Sequence, residues 1–401
     1  MNKREAANEY DVLIVGGGPA GASAAIVLAE RSARVLLCEQ KKFPRAKLCG
    51  EFISPECLNH FARLGITDQM LAAGGARLTE TRFYGRRGNH VAVPSTWFGG
   101  ASALGLSRAE MDRRLLQRAR EAGVTVLEET RAGELIVDDK YVRGIYLKTR
   151  EGARAFRALV TIDATGRSRA IARRIEADAK SIGRKTKRRR SLVAFKAHLE
   201  KVRGGDGVCE IYFYRGGYGG LSSIEDGKSN FCFVVAAQDV RACGNDAARV
   251  MREIVMTNAR AAQTLAAAHL RSEWLAVALD AFGRRNIVPA KGLLAIGDAA
   301  SFIDPFTGSG MLMALESGQL VAESIIRALP QLRAGAPFKV LEDDYKRLYD
   351  KQFGARLRVC SLLRRAAFAP GAAEFTISAL SRSMRVRRAL ACATRKTTIS
   401  Y

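Results

Sequence analysis

Acids are scarce in this chain relative to bases. Over 401 residues, 40 aspartates and glutamates face 65 lysines and arginines, a formal net charge of +25. Such a balance excludes an acidic surface and fits an anionic partner, whether nucleic acid, a charged membrane surface, or an acidic substrate or carrier; a merely solvated, arginine-rich surface fits as well. Histidines number only four, all isolated, so no metal-ligand spacing arises and no metal is expected. The eight cysteines include no C-x-x-C pair, and Cys38 and Cys232 sit inside apolar runs, where a reduced thiol packs as a small hydrophobe. That usage fits a reducing, cytoplasmic compartment. No run of about 18 apolar residues is present, which excludes a membrane-spanning helix, and the first nine residues lack the apolar core of a signal peptide. No nucleic-acid recognition motif appears, so specific binding of nucleic acid is not expected.

What the chain does have is organised around its first forty residues. Val12 to Val15 form a short apolar run, as in a strand buried on both faces, and Gly16, Gly18 and Gly21 follow at the spacing G-x-G-x-x-G. Gly16 permits the sharp turn, Gly18 lets backbone approach a pyrophosphate, and Gly21 lets the helix lie close on the strand. Residues 20–30 supply the helix, starting at Ala20, whose free N–H groups and dipole favour a diphosphate. Residues 34–39 form the next strand, and Glu39 at its end is placed to accept from a ribose hydroxyl. The unit therefore predicts a bound dinucleotide.

A basic loop follows, punctuated by Pro44, Gly50 and Pro55 until Ser54 caps a helix. It either lays Arg45 and Lys47 near phosphates and carries Cys49 and Gly50 toward a reacting ring, or is a surface excursion. Strands are predicted within residues 79–93, about a turn at residues 87–89. A helix over 109–122 follows, capped by Ser107. Arg108 at that helix start opposes the dipole, which suggests an anionic contact. A hairpin around residues 138–140 precedes a second apolar strand over 158–163, ending in Asp163 and Gly166. From residue 191 to 237 the pattern becomes antiparallel β, with strands over 192–199, 209–214 and 230–236, and residues 246–269 predict one helix. A strand then leads into Asp298, and Gly308, Ser309 and Gly310 open a helix over 311–328, a second positive helix end. The tail from 353 to 394 alternates arginines with leucines and phenylalanines, as would a helix lying on an anionic bilayer or one packed on the nucleotide domain.

Taken together, the glycine fingerprint with Glu39, the Asp163-Ala-Thr-Gly166 stretch and Gly297-Asp298 with its continuation to Gly310 resemble FAD-dependent oxidoreductases of the p-hydroxybenzoate hydroxylase fold. Within that superfamily, residues 43–55 resemble the P-R-x-K-x-C-G-x-x-x-S-P signature of the geranylgeranyl reductase family. Tyr218-Gly219 resembles its G-Y-G-W stretch, with Gly220 replacing the tryptophan and the following proline absent. The W-x-W-x-I-P motif of the related flavin halogenases is missing, so halogenation is not expected.

The resemblance implies an α/β protein: a Rossmann-like FAD-binding domain with an inserted antiparallel sheet as substrate domain and a helical C-terminal region. The expected divisions are 1–75, 104–190 and 284–330 for the FAD domain, 76–103 and 191–283 for the substrate domain, and 331–401 for the basic helical tail. It further implies that Gly16, Gly18, Ala20 and Gly21 meet the FAD diphosphate, with Arg45 and Arg108 alongside. Glu39 would meet the ribose, Asp298 the ribityl region, and the Gly308, Ser309 and Gly310 amides the pyrimidine edge. Asp163 and Gly166 would support the FAD loop and transient NAD(P)H binding, and Lys47, Cys49 and Gly50 would line the path to the ring, the last two at the catalytic position. The implied activity is reduction of a carbon–carbon double bond in an apolar isoprenoid, quinone or polyketide-like substrate. Electrons would come from NAD(P)H or a reductase partner. Hydroxylation of an aromatic substrate is the alternative, and a non-catalytic lipid carrier on the same fold is another. The basic tail adds peripheral contact with an anionic membrane, on its inner face, as an expectation.

Overall fold

The computed structural model describes residues 10–150, 152–179, 192–279, 282–368 and 372–395. The basic run 184–190 lies outside them.

Four short apolar strands, Tyr10–Val15, Val35–Cys38, Thr125–Leu127 and Leu293–Ala295, pair in parallel around the C-terminal half of Gly152–Asp163. Except in the edge strand Thr125–Leu127, their side chains are almost wholly buried, because helices cover one face and the neighbouring hairpin packs on the other. The N-terminal half of Gly152–Asp163 instead pairs antiparallel with the hairpin Arg131–Asp138 and Tyr141–Thr149. The helix Pro19–Glu30 is apolar nearly all round, which suits its position between the sheet and the long helix Gly310–Arg333. Those two helices approach at Gly318, where an added Cβ would overlap the carbonyl oxygen of Ala20.

The second layer is an eight-stranded sheet. Leu192–Glu200, Ser229–Ala236, Gly217–Ser223 and Val208–Tyr214 form its antiparallel centre, extended by Glu80–Tyr84 and His90–Pro94 on one side. The neighbouring strands Ala76–Leu78 and Ala103–Gly105 do not join it; Ala103–Gly105 pairs with Ala76–Leu78 on one side and Phe52–Ile53 on the other, a small sheet that ties the basic loop to the junction between layers. The expected helix over 246–269 is broken into Ala247–Glu253 and Ala259–Leu265. Asn258 causes the break: its Oδ1 accepts from the amides of Arg260 and Ala261, while its Nδ2 donates to the carbonyls of Gly85 and Phe213, both at 2.9 Å. The strand Gly217–Ser223 was not anticipated, since glycine is a poor strand former.

The tail forms the helices Lys339–Ala367, Ala372–Ser381 and Met384–Ala393. Tyr345, Tyr349 and Phe353 anchor it in the core beside the parallel sheet, and Arg356, fully buried, pairs with Glu316 at 2.5 Å. Of the two placements open to the tail, packing on the nucleotide domain describes its first half. No helix among the described residues is long and apolar enough to cross a membrane.

Gly21 and Gly310 are expected to respond oppositely to alanine. A Cβ at Gly21 would overlap the Gly16 carbonyl oxygen, whereas nothing lies within 4 Å of one at Gly310. Gly21→Ala should cost about 3 kcal/mol of stability through overpacking, and Gly310→Ala should leave the denaturation midpoint unchanged.

Candidate functional site

The glycine turn leaves the strand Tyr10–Val15 and enters the helix Pro19–Glu30 with no side chain capping its first amides. Glu39, almost fully buried, accepts from the Gly17 amide and from the Lys41 amide, both at 3.0 Å. A Cβ at Gly18 would meet only two groups within 4 Å: Nη2 of Arg108 at 3.8 Å and Nη2 of Arg45 at 4.0 Å. So the space over this helix end is walled by two guanidinium tips. Arg108 is fixed by a bidentate pair with Asp112, at 2.8 and 2.7 Å, which offsets its poor position in the helix dipole. Arg45 lies 3.3 Å from Asp112 and 3.5 Å from Glu39, yet its buried Nη1 makes no hydrogen bond.

More charge converges from other elements. Burial, together with the charges of Arg45, Arg108 and Arg167, pulls the Lys47 ammonium below the usual lysine value, opposed only by Asp298. Asp298 follows the strand Leu293–Ala295; burial pushes its carboxyl up against the pull of Arg167, Arg108 and Lys47. Four cations thus surround a common space, Arg45 and Arg108 leaning on Asp112 and Glu39 behind them and Asp298 facing them. A second uncapped helix end, that of Gly310–Arg333, opens onto free volume at Gly310. An extended anion with phosphates at one helix end and a polar ring edge at the other suits these donors. FAD is such a group, and the residues present fit it.

Other expected residues act from behind. The Asp163 carboxylate is completely buried and accepts from the Thr165 hydroxyl and from the amides of Thr165, Ile171 and Ala172, at 2.6 to 3.2 Å. It braces the turn carrying Gly166 and Arg167 and has no free lone pair for a nucleotide. Ser309 is buried, its hydroxyl 3.1 Å from that of Thr307, and Ala20 packs beneath Gly297.

Cys49 and Gly50 are held by a cluster no local motif announced. Glu51, 1% exposed, pairs with Lys196 Nζ at 2.5 Å and His198 Nε2 at 2.7 Å, both on the strand Leu192–Glu200. It also accepts from the Arg108 amide at 2.8 Å. Lys196 donates to the Lys47 carbonyl, Asn230 to that of Cys49 and Ser222 to that of Gly50. Burial favours a neutral Glu51, but the His198 hydrogen bond and the Lys196 charge outweigh it and hold the carboxyl below the ordinary glutamate range. These partners lie 145 and 147 residues away, and no periodicity in the sequence joins them.

Beyond Gly50 opens an apolar cavity of about 200 Å³. The Pro305–Gly308 loop and Phe52 close one end, Ile211, Phe213 and Leu221 of the large sheet form a wall, and Ile377, Leu380 and Leu390 of the tail form the other. Gly220, at the position of the family's tryptophan, faces it, and Cys209 lines it as a neutral thiol that burial and the charge of Glu210 push up to about 12.

The chain matches the FAD binding domain family over residues 9–331, and it belongs to that family. It is an FAD-dependent oxidoreductase of the reductase or mono-oxygenase kind. Its relatives include digeranylgeranylglycerophospholipid reductase from Methanosarcina acetivorans, 27% identical over 86% of this chain and 81% of the relative. A second protein of that name, from Methanopyrus kandleri, is 25% identical over 88% and 86%. Among solved structures, a flavin-dependent brominase superposes with a TM-score of 0.80 at 21% identity, covering 96% of this chain and 93% of that one. A geranylgeranyl bacteriochlorophyll reductase-like protein from Thermoplasma acidophilum superposes with a TM-score of 0.71 at 21% identity, covering 98% and 93%. At such identities the structural likeness establishes the shared fold.

Replacing Glu51 by Gln leaves Lys196 buried without its counter-charge and should cost about 3 kcal/mol. Because the folded carboxyl titrates below its ordinary value near 4.5, this stabilisation is complete above that pH and disappears as pH falls through the lowered value. Urea midpoints of the wild type and Glu51→Gln should therefore differ at pH 7 and converge in acid.

Proposed function

We propose that this protein reduces carbon–carbon double bonds in a long apolar, isoprenoid-like substrate, taking electrons from NAD(P)H or a reductase partner. The cavity carries this reading. Its apolar lining extends from Gly50 and the Pro305–Gly308 loop between the large sheet and the tail helices, which suits an extended apolar chain. Its walls are mostly aromatic, aliphatic and glycine surfaces, with Arg387 and Arg395 on the tail side, and among the described residues no carboxylate or histidine lines it to ionise a phenol for hydroxylation. The names of the archaeal relatives support the same substrate class.

Bound FAD supplies the hydride chemistry. In this reading Arg45, Arg108 and the amides after Gly18 hold the diphosphate, Glu39 the ribose, Asp298 the ribityl chain, and the amides after Gly308 the ring edge. Lys47 lies among these cations, where a bound diphosphate would favour its ammonium form. The cluster of Glu51, Lys196 and His198 keeps Gly50 at the cavity floor with Cys49 next to it, so that the substrate would meet the cofactor in a fixed pose. The phenyl rings of Phe52, Phe213 and Phe306 exclude water from that contact.

The test is anaerobic reduction of the FAD-loaded protein by NADPH or dithionite, followed by an isoprenoid lipid and mass analysis of the extract. Gain of two hydrogens per double bond is expected. Incorporation of oxygen in air, with no hydrogenation, would replace this reading by mono-oxygenation, and a colourless protein that takes up no FAD would remove both.

Gly220→Trp, which restores the family's aromatic residue inside the cavity, should lower turnover of the longest substrates about tenfold while leaving FAD content unchanged. The tightest contact of a Cβ there is the flexible end of Ile211, at 3.1 Å.

A further inference from the structure

The four most exposed large hydrophobic side chains among the described residues all lie within the tail. Phe375 is 76% exposed, Met384 66%, Leu362 61% and Val386 57%. Scattered single exposures need no explanation, but four on consecutive helices do.

Each of the last two helices has two working faces. In Ala372–Ser381, residues 373, 376, 377 and 380 recur at helical spacing and line the cavity, while Phe375, Ala379 and Arg382 face outward. In Met384–Ala393 and the turn after it, residues 387, 390, 391 and 394 line the cavity, while Met384, Arg385, Arg388 and Ala389 are exposed. The outer face is of one sign. From residue 372 to 395 the chain has five arginines and one acid, Glu374, which is engaged with the Arg86 amide on the large sheet. Arg382, Arg385 and Arg388 have no ion-pair partner among the described residues.

We infer that the outer face of these two helices docks on an anionic bilayer, Phe375 and Met384 entering the headgroup region and Arg382, Arg385 and Arg388 meeting lipid phosphates. Apolar groups interleaved with arginines on an interfacial helix have this complementarity; an acidic protein would satisfy the arginines and leave the apolar groups wet. The same helices wall the cavity, so docking sets its tail-lined side against the membrane. That a lipid then enters the cavity rests on the function proposed above; the docking itself does not.

The tail's end is latched where this would be used. Arg395 pairs with Glu56 at 3.2 Å and its guanidinium stacks 4.1 Å from the Phe98 ring, while its carbonyl accepts from Arg356 at 3.0 Å.

Sedimentation of the FAD-loaded protein with vesicles of phosphatidylcholine, alone or mixed with phosphatidylglycerol, tests this without any turnover. Binding at least about tenfold tighter to the anionic vesicles is expected. Arg382→Glu/Arg385→Glu/Arg388→Glu should abolish that preference, and Phe375→Ser/Met384→Ser should weaken binding several-fold at high salt. Arg241→Glu/Arg252→Glu, on helices of the substrate layer, should change nothing. Equal binding to both vesicles, or an equal loss in the Arg241/Arg252 control, overturns the proposal. So does binding insensitive to Phe375→Ser/Met384→Ser, which would mark a purely electrostatic contact with an acidic partner. FAD content and urea midpoint verify folding, and a glutamine version of the triple variant serves if the glutamates disturb it.

Discussion

The structure turns on a shared space in which positive charge is not balanced by the protein. Arg45, Lys47, Arg108 and Arg167 surround it against the three carboxylates of Glu39, Asp112 and Asp298, and two helices begin there with uncapped N-termini. Burial, and after it the charges of Arg45, Arg108 and Arg167, disfavours the ammonium of Lys47 in this space. An arrangement of that kind persists when a ligand supplies the missing negative charge, and a dinucleotide diphosphate does so. Everything else positions that ligand: the parallel sheet sets the first helix end, the close approach at Gly318 sets the second relative to it, and the basic loop folds over between them.

The second layer is joined to this space by buried polar contacts rather than by apolar surface alone. Glu51 draws Lys196 and His198 of the large sheet onto the basic loop, and Tyr218, Asp304 and Arg364 link sheet, flavin-side loop and tail in the same way. Burial pushes the Asp304 carboxyl up, with the Tyr218 hydrogen bond and the Arg364 charge opposing it. Such pairs add little net stability compared with apolar packing, but breaking one is costly. They therefore fix how the layers sit on each other, and so fix the cavity between them. The cavity wall is thin on the tail side, where two short helices carry both its apolar lining and the exposed arginines outside.

Much of the nucleotide half was legible because its signals are local. A strand, three glycines, a helix and an acid at the next strand's end lie within thirty residues, and each has its own stereochemical reason. Ser107 as a cap was equally readable, and it accepts from the Glu110 amide. The missed elements have non-local causes. Gly217–Ser223 is a strand because both neighbours pair with it and leave no room for a side chain at Gly217, where a Cβ would overlap the Val234 carbonyl oxygen. The break at Asn258 is set by carbonyls more than forty residues distant.

By itself, then, the sequence determined the parallel βαβ core, the anion-binding turn and the membership these imply, since backbone geometry and a phosphate's needs are written in contiguous residues. Only the tertiary structure decided that Asp163 is a brace, that Glu51 is the anchor of the reactive loop, and that the basic tail closes an apolar cavity. Those roles depend on burial and on partners brought together from distant parts of the chain, and a residue's spacing along the chain carries no record of what will surround it.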